Sequence, residues 1–68
     1  MSEHVYKVIE IVGSSKTSVE DAIQNAIQKA SKTVHNMRWF QVVENRGYIK
    51  DNKVDYYQVT LKIGFTVD

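Results

Sequence analysis

Few residues in this chain are capable of chemistry, and their types and spacing rule out most kinds of site. The sequence has no cysteine, so neither a disulfide framework nor a thiolate metal site is available. His4 and His35 lack metal-ligand spacing and have no acidic partner placed for catalysis. The chain also lacks a nucleophile elbow, a phosphate loop and paired carboxylates in a plausible cleft, so we predict no enzymatic activity. The single tryptophan, Trp39, remains: its indole can stack on a flat ring or anchor an interface.

The size and charge of the chain limit how it is stabilised and what it binds. Its 68 residues form one domain, 1–68, and a domain this small usually needs a stabiliser beyond its own core. We expect that stabiliser to be oligomerisation. Nine basic and eight acidic residues are interspersed, so bulk charge predicts binding neither to nucleic acid nor to a membrane. Because Met1 to Val12 lacks the pattern of a signal peptide, we expect a cytoplasmic location.

The first half of the chain predicts a strand followed by a helix. Val5 to Val12 is rich in β-branched residues, and Gly13-Ser14-Ser15 is expected to end that strand. Thr17 and Glu20 have the spacing of a capping box, which predicts that the helix begins there, and Asn36 is the expected C-terminal stop. Apolar residues then recur at three- and four-residue steps and form one stripe that must pack on a sheet: Val19, Ala22, Ile23, Ala26, Ile27, Ala30 and Val34.

The second half predicts a long hairpin, Arg38 to Ile49 and Val54 to Val67, turning at Asp51-Asn52. In the last strand the odd-numbered residues share one apolar face, which we expect to face the core: Tyr57, Val59, Leu61, Ile63, Phe65 and Val67. Centring the turn sets Phe40 opposite Ile63, Val42 opposite Leu61, and Gln58 opposite Asn45.

The same register places Trp39 on the face of the sheet away from the helix, opposite Gly64. We expect Gly64 to leave space beside the indole for another backbone or ring. With a simple crossover helix, an all-antiparallel sheet requires the strand order 2-3-1. The predicted fold is therefore α+β, with β-α-β-β topology and a three-stranded antiparallel sheet wrapped around one helix. Its outer face suggests a partner.

The order and spacing of several short segments resemble the dodecin family over nearly the whole chain. They are residues 5–15 (VYKVIEIVGSS), 18–23 (SVEDAI), 39–42 (WFQV), Arg46-Gly47 and 57–59 (YQV). The resemblance implies a hollow homododecamer that binds flavins between subunits and stores or sequesters them without catalysis. FMN and riboflavin are the implied ligands, and coenzyme A as an additional ligand of the shell is left open.

The resemblance also implies three flavin-binding residues. Trp39 would stack on the isoalloxazine ring, Gln58 would hydrogen-bond its polar edge, and Arg46 would bind the phosphate of a phosphorylated flavin. Trp39 lies about 20 Å from Gln58 along the sheet at about 3.4 Å per residue, so both can reach one flavin only from different subunits. Arg46 falls on the core-side parity of our register, and to reach a ligand it must lie past the helix or follow a bulge.

Other interpretations of the same residues remain open. Trp39 could be an interface anchor, Gln58 a solvated strand residue, and Arg46 the partner of Glu44 in a surface ion pair. The shell could bind a small ligand other than flavin. A flavin-dependent oxidoreductase is a further alternative, in which the protein would supply only the site. An RNA-binding sheet is disfavoured, because the outer face carries little positive charge and few aromatic residues.

Overall fold

A computed structural model describes residues 3–67, so residues 1, 2 and 68 of the predicted domain lie outside it. The elements are β1 (Tyr6–Ser15), α1 (Val19–Ala30), β2 (Met37–Lys50) and β3 (Lys53–Thr66). The strands form one antiparallel sheet in the order β1-β3-β2, which confirms the predicted fold class and strand order. No helix in this part of the chain has both the length and the apolar character needed to cross a membrane.

Strand β1 extends past the point where we expected it to end. Gly13 pairs with Val59, and the strand continues to Ser15. A Cβ at Gly13 would collide with the carbonyl oxygen of Ala22 and the methyl group of Ala26. The glycine is therefore not a break, because its lack of a side chain lets α1 pack closely on the strand.

The helix begins at a different cap and ends earlier than predicted. Ser18, not Thr17, is the N-cap: its Oγ accepts from the backbone N–H of Asp21 at 3.0 Å, and its own backbone is extended. Ser15 stabilises this start, since its Oγ accepts from the backbone of Thr17 at 2.9 Å and donates to Asp21 at 2.6 Å. The helix ends at Ala30, after which the backbone N–H groups of Lys32 and Thr33 donate to carbonyl oxygens three residues back. Asn36, the expected stop, instead has a φ of 64° in the connection before β2.

The hairpin turns where predicted, but its register changes along the strands. Asp51 and Asn52 both have positive φ, as a two-residue hairpin turn requires. Phe40 pairs with Ile63, Val42 with Leu61 and Trp39 with Gly64, as predicted. Between the turn and these pairs, a register shift between Tyr48 and Ile49 leaves Asp55 as an extra residue of β3, and a second shift between Val42 and Glu44 leaves Val43 as an extra residue of β2. In the segment between the two shifts Gln58 pairs with Arg46, so its predicted pairing with Asn45 is wrong.

The core lies between α1 and the two strands that it covers, β1 and β3. Its buried residues are Ala22, Ala26, Val59, Leu61 and Ile63. The helix does not cover β2, and Phe40 and Val42, which have the predicted core-side parity, remain 48% and 41% exposed. The accessible surface is 5226 Å², against about 4,400 Å² for a compact monomer of this mass. The single chain therefore leaves much apolar surface open to water.

Candidate ligand-binding face

Trp39 is held in a defined position on the sheet face away from α1, which we call the outer face. Its indole lies across Gly64 of the neighbouring strand, so close that a Cβ at Gly64 would overlap Cε2, Cζ2 and Nε1 of the ring. The expected empty space beside Gly64 is therefore wrong, because Trp39 itself fills it. Tyr6 contacts the indole with its ring edge-on, at 6.2 Å between centroids. Trp39 nevertheless stays 40% exposed, so part of an oriented indole faces outward.

Gln58 lies in a separate polar cluster near the hairpin end of the same face. Its Oε1 is 3.5 Å from the hydroxyl of Tyr48, whose ring stacks on Tyr56 at 4.7 Å and 17°. Arg46 is the cross-strand partner of Gln58. Directly paired residues have Cβ atoms about 5 Å apart on one face, so a single ligand can reach both side chains.

Arg46 reaches the outer face because of the bulge at Val43. Without that extra residue, Arg46 would have the parity of Phe40 and Val42 and would point to the helix side. The sequence left two ways for Arg46 to reach a ligand, a position past the helix or a bulge. The structure shows the bulge.

The charge of Arg46 is held in place by its neighbours. Its Nη2 donates to Oε2 of Glu44 at 2.8 Å. Hydrogen bonding to Glu44 and then to Tyr48 raises the pKa of Arg46, so the side chain stays cationic. The ion pair that the alternative interpretation expected is thus present. Both side chains are about half exposed, and an exposed pair is weak enough for an incoming anion to compete with Glu44.

One chain brings Gln58 and Arg46 together but leaves Trp39 apart. Gln58 is six residues from Gly64 along β3, about 20 Å at about 3.4 Å per residue. Sequence reasoning missed Tyr48 and its stack on Tyr56. Two tyrosines flanking a hairpin turn were a usable signal, but their pairing depends on the register shift between Tyr48 and Ile49.

Comparison with known proteins identifies the family. The family model described as Dodecin matches residues 5–68. The chain belongs to the dodecin family. A dodecin from Thermus thermophilus is 45% identical over 94% of this chain and 93% of its own length. The solved structure of a dodecin from Streptomyces davaonensis has a TM-score of 0.93 and 49% identity and covers 98% of each chain.

A more distant dodecin carries a metal in its name. The calcium dodecin of Mycobacterium tuberculosis is 36% identical over 90% of this chain and 86% of its own length. Among residues 3–67 of the present dodecin, no three His, Cys, Asp or Glu side chains come together as a metal site.

Proposed function

We propose that this protein binds and sequesters flavins, FMN or riboflavin, in sites between the subunits of a homododecamer. The observation that carries the proposal is the indole of Trp39, which rests on Gly64 and has an exposed side. An aromatic ring held in one orientation loses little conformational freedom when a flat ligand stacks on it. Tyr6 contributes to this preorganisation by contacting the indole edge.

The energetics of stacking favour an enclosed site. Stacking on one aromatic side chain contributes about 1–3 kcal/mol, whereas nanomolar binding needs about 12 kcal/mol. Hydrogen bonds and enclosure must supply the difference. Gln58 and Arg46 provide an amide and a guanidinium side by side, yet too far from Trp39 to act on the same ring. A second subunit that brings its own Gln58 and Arg46 to Trp39 would complete the site.

The exposed apolar surface supports assembly. Phe40 and Val42 are uncovered on the helix side of β2, and Tyr6, Val8 and Val12 are exposed on β1. Association of copies would bury these side chains, and the dodecin resemblance implies twelve subunits. A flavin enclosed between subunits has no open face for a second substrate, which favours storage and protection over catalysis.

Trp39→Ala tests the proposal directly. Loss of one stacking surface should weaken flavin binding about 5- to 150-fold, the equivalent of about 1–3 kcal/mol. Bound flavin should also become brighter, because a stacked indole quenches flavin emission by electron transfer. Titration followed by fluorescence measures both effects, and light scattering checks that the assembly is intact. Trp39→Phe is the matched control and should retain part of the affinity. If Trp39→Ala left both affinity and quenching unchanged, Trp39 would be an interface residue.

Arg46→Ala tests the choice between the two flavins. If the guanidinium binds the phosphate, the substitution should weaken FMN binding about tenfold and leave riboflavin binding nearly unchanged. Lys32→Ala removes the same charge from the turn after α1, away from the outer face, and should leave both affinities as they are. The assignment fails if FMN shows no advantage over riboflavin, or if that advantage survives Arg46→Ala.

A further inference from the structure

We infer that Tyr48 is a positioning residue that fixes the amide of Gln58, so that Gln58 presents its Nε2–H donor to a hydrogen-bond acceptor on the ligand. The inference rests on the proposed function. It assigns a role to a residue outside the three proposed ligand contacts. It also states that Gln58 is the donor in its hydrogen bond to the ligand.

The Tyr48 ring is held in position by a neighbouring aromatic ring. It stacks on Tyr56, its cross-strand partner, at 4.7 Å between centroids and 17° between planes. Stacked aromatic pairs across a sheet restrict each other's rotamers and stabilise the pairing. The hydroxyl is therefore carried at one height above the sheet, next to Gln58.

The direction of the hydrogen bonds follows from which groups can donate. Arg46 has only donors and is paired with Glu44 at 2.8 Å, so it does not accept the Tyr48 proton. The single Tyr48 proton is then free for the amide oxygen of Gln58, 3.5 Å away. That distance is at the outer limit of a hydrogen bond, so the contact orients the amide more than it stabilises the fold. With Oε1 facing Tyr48, the Nε2 donors of Gln58 project elsewhere.

This orientation selects the ligand group that Gln58 meets. The pyrimidine edge of an isoalloxazine carries two carbonyl oxygens as acceptors and one N–H as a donor. An amide turned as in this structure suits an acceptor, a carbonyl oxygen or ring nitrogen, and is poorly placed to accept from the N–H.

A double-mutant cycle with riboflavin as the probe tests the role of Tyr48. Tyr48→Phe keeps the stacked ring and removes the hydroxyl, and we expect about 3- to 10-fold weaker binding, the loss of one hydrogen bond. In a Gln58→Ala background the same change should have no further effect, because Tyr48 acts through Gln58. Tyr57→Phe, one residue away on the helix side of β3, is the matched control and should bind as the parent protein does.

A second variant tests the polarity of the contact without relying on Tyr48. Gln58→Glu offers only acceptors when ionised, so it should bind riboflavin more weakly than Gln58→Ala. Parent-like binding by Gln58→Glu would overturn the donor assignment. The positioning role would be wrong if Tyr48→Phe bound riboflavin as tightly as the parent protein. It would also be wrong if Tyr48→Phe lost the same affinity in the presence and in the absence of Gln58. If the parent protein bound neither riboflavin nor FMN, the proposed function itself would fail, which is a distinct result.

Discussion

Gly64→Ala is expected to abolish tight flavin binding while leaving the fold intact. The Cβ of alanine would occupy the space of the Trp39 indole, whose Cε2, Cζ2 and Nε1 lie over Gly64. Gly64 does not have a positive φ, so alanine is compatible with the backbone there. The indole is at the surface and can swing outward, and the buried core on the other face of the sheet is not touched. The displaced ring would then obstruct the ligand.

This steric mechanism predicts a larger loss of affinity than Trp39→Ala causes. Removing the indole leaves an open surface, whereas displacing it places a bulky group in the path of the flavin. The two changes should also be non-additive, because Gly64→Ala has no ring to displace once Trp39 is alanine. Flavin titration of the two single variants and the double variant measures both points.

Gly47 supplies the control for the same substitution. A Cβ at Gly47 would meet only the backbone oxygen of Tyr56, at 3.4 Å, which is an ordinary contact. Gly47→Ala should therefore bind flavin as the parent protein does, and thermal unfolding should show both variants folded. Parent-like affinity in Gly64→Ala would mean that the indole is not seated on Gly64 in solution.

The parts of the fold that depend on the spacing of apolar residues and on the residue types of the turn could be predicted from the sequence. The odd-numbered apolar residues of β3 identified its core face, and counting from the Asp51-Asn52 turn paired Phe40 with Ile63 correctly because the two register shifts between them cancel. The helix stripe implied a sheet beneath it. The cap was misplaced by one residue because Thr17 and Ser18 are both good N-caps, and the choice depends on the local conformation around Ser15, whose hydroxyl accepts from the backbone of Thr17 and donates to Asp21.

The candidate site was harder to predict, because a bulge leaves no clear mark in sequence. Val43 follows Val42 in an otherwise regular alternation, and nothing in residue type shows which valine is extra. That one residue moves Arg46 to the face of Gln58. The role of Gly64 was missed for a similar reason. A glycine opposite a tryptophan is compatible with an open space above the glycine and equally with an indole that lies across it, and only the side-chain rotamer distinguishes the two.

The uncovered side of β2 could not be predicted from the alternation of apolar and polar residues. Phe40 and Val42 have the parity of the core, yet α1 is too short and too far to one side to cover them. An apolar recess of about 180 Å³ opens between α1 and β2, next to Phe40 and Ile63. Alternation shows which side of a strand is apolar, but it does not show whether the covering surface comes from the same chain.

Val42→Glu should therefore separate the assembly and with it remove flavin binding. Burying an unpaired carboxylate at an interface is strongly unfavourable, whereas in the isolated chain position 42 is already 41% exposed, so the monomer should fold. By light scattering the mass should fall from about twelve times 7.9 kDa towards that of small species. Gln24→Glu adds the same charge at an exposed position of α1 and should leave the assembly intact.

Flavin titration of the dissociated Val42→Glu variant then decides whether the site exists between subunits. Each separated chain retains Trp39 on Gly64 and Gln58 beside Arg46, but about 20 Å apart. We expect affinity to fall at least a hundredfold, since only single-surface stacking or isolated hydrogen bonds remain. Tight binding by a chain shown to be monomeric would mean that one subunit encloses the ligand, and the division of the site between subunits would be wrong.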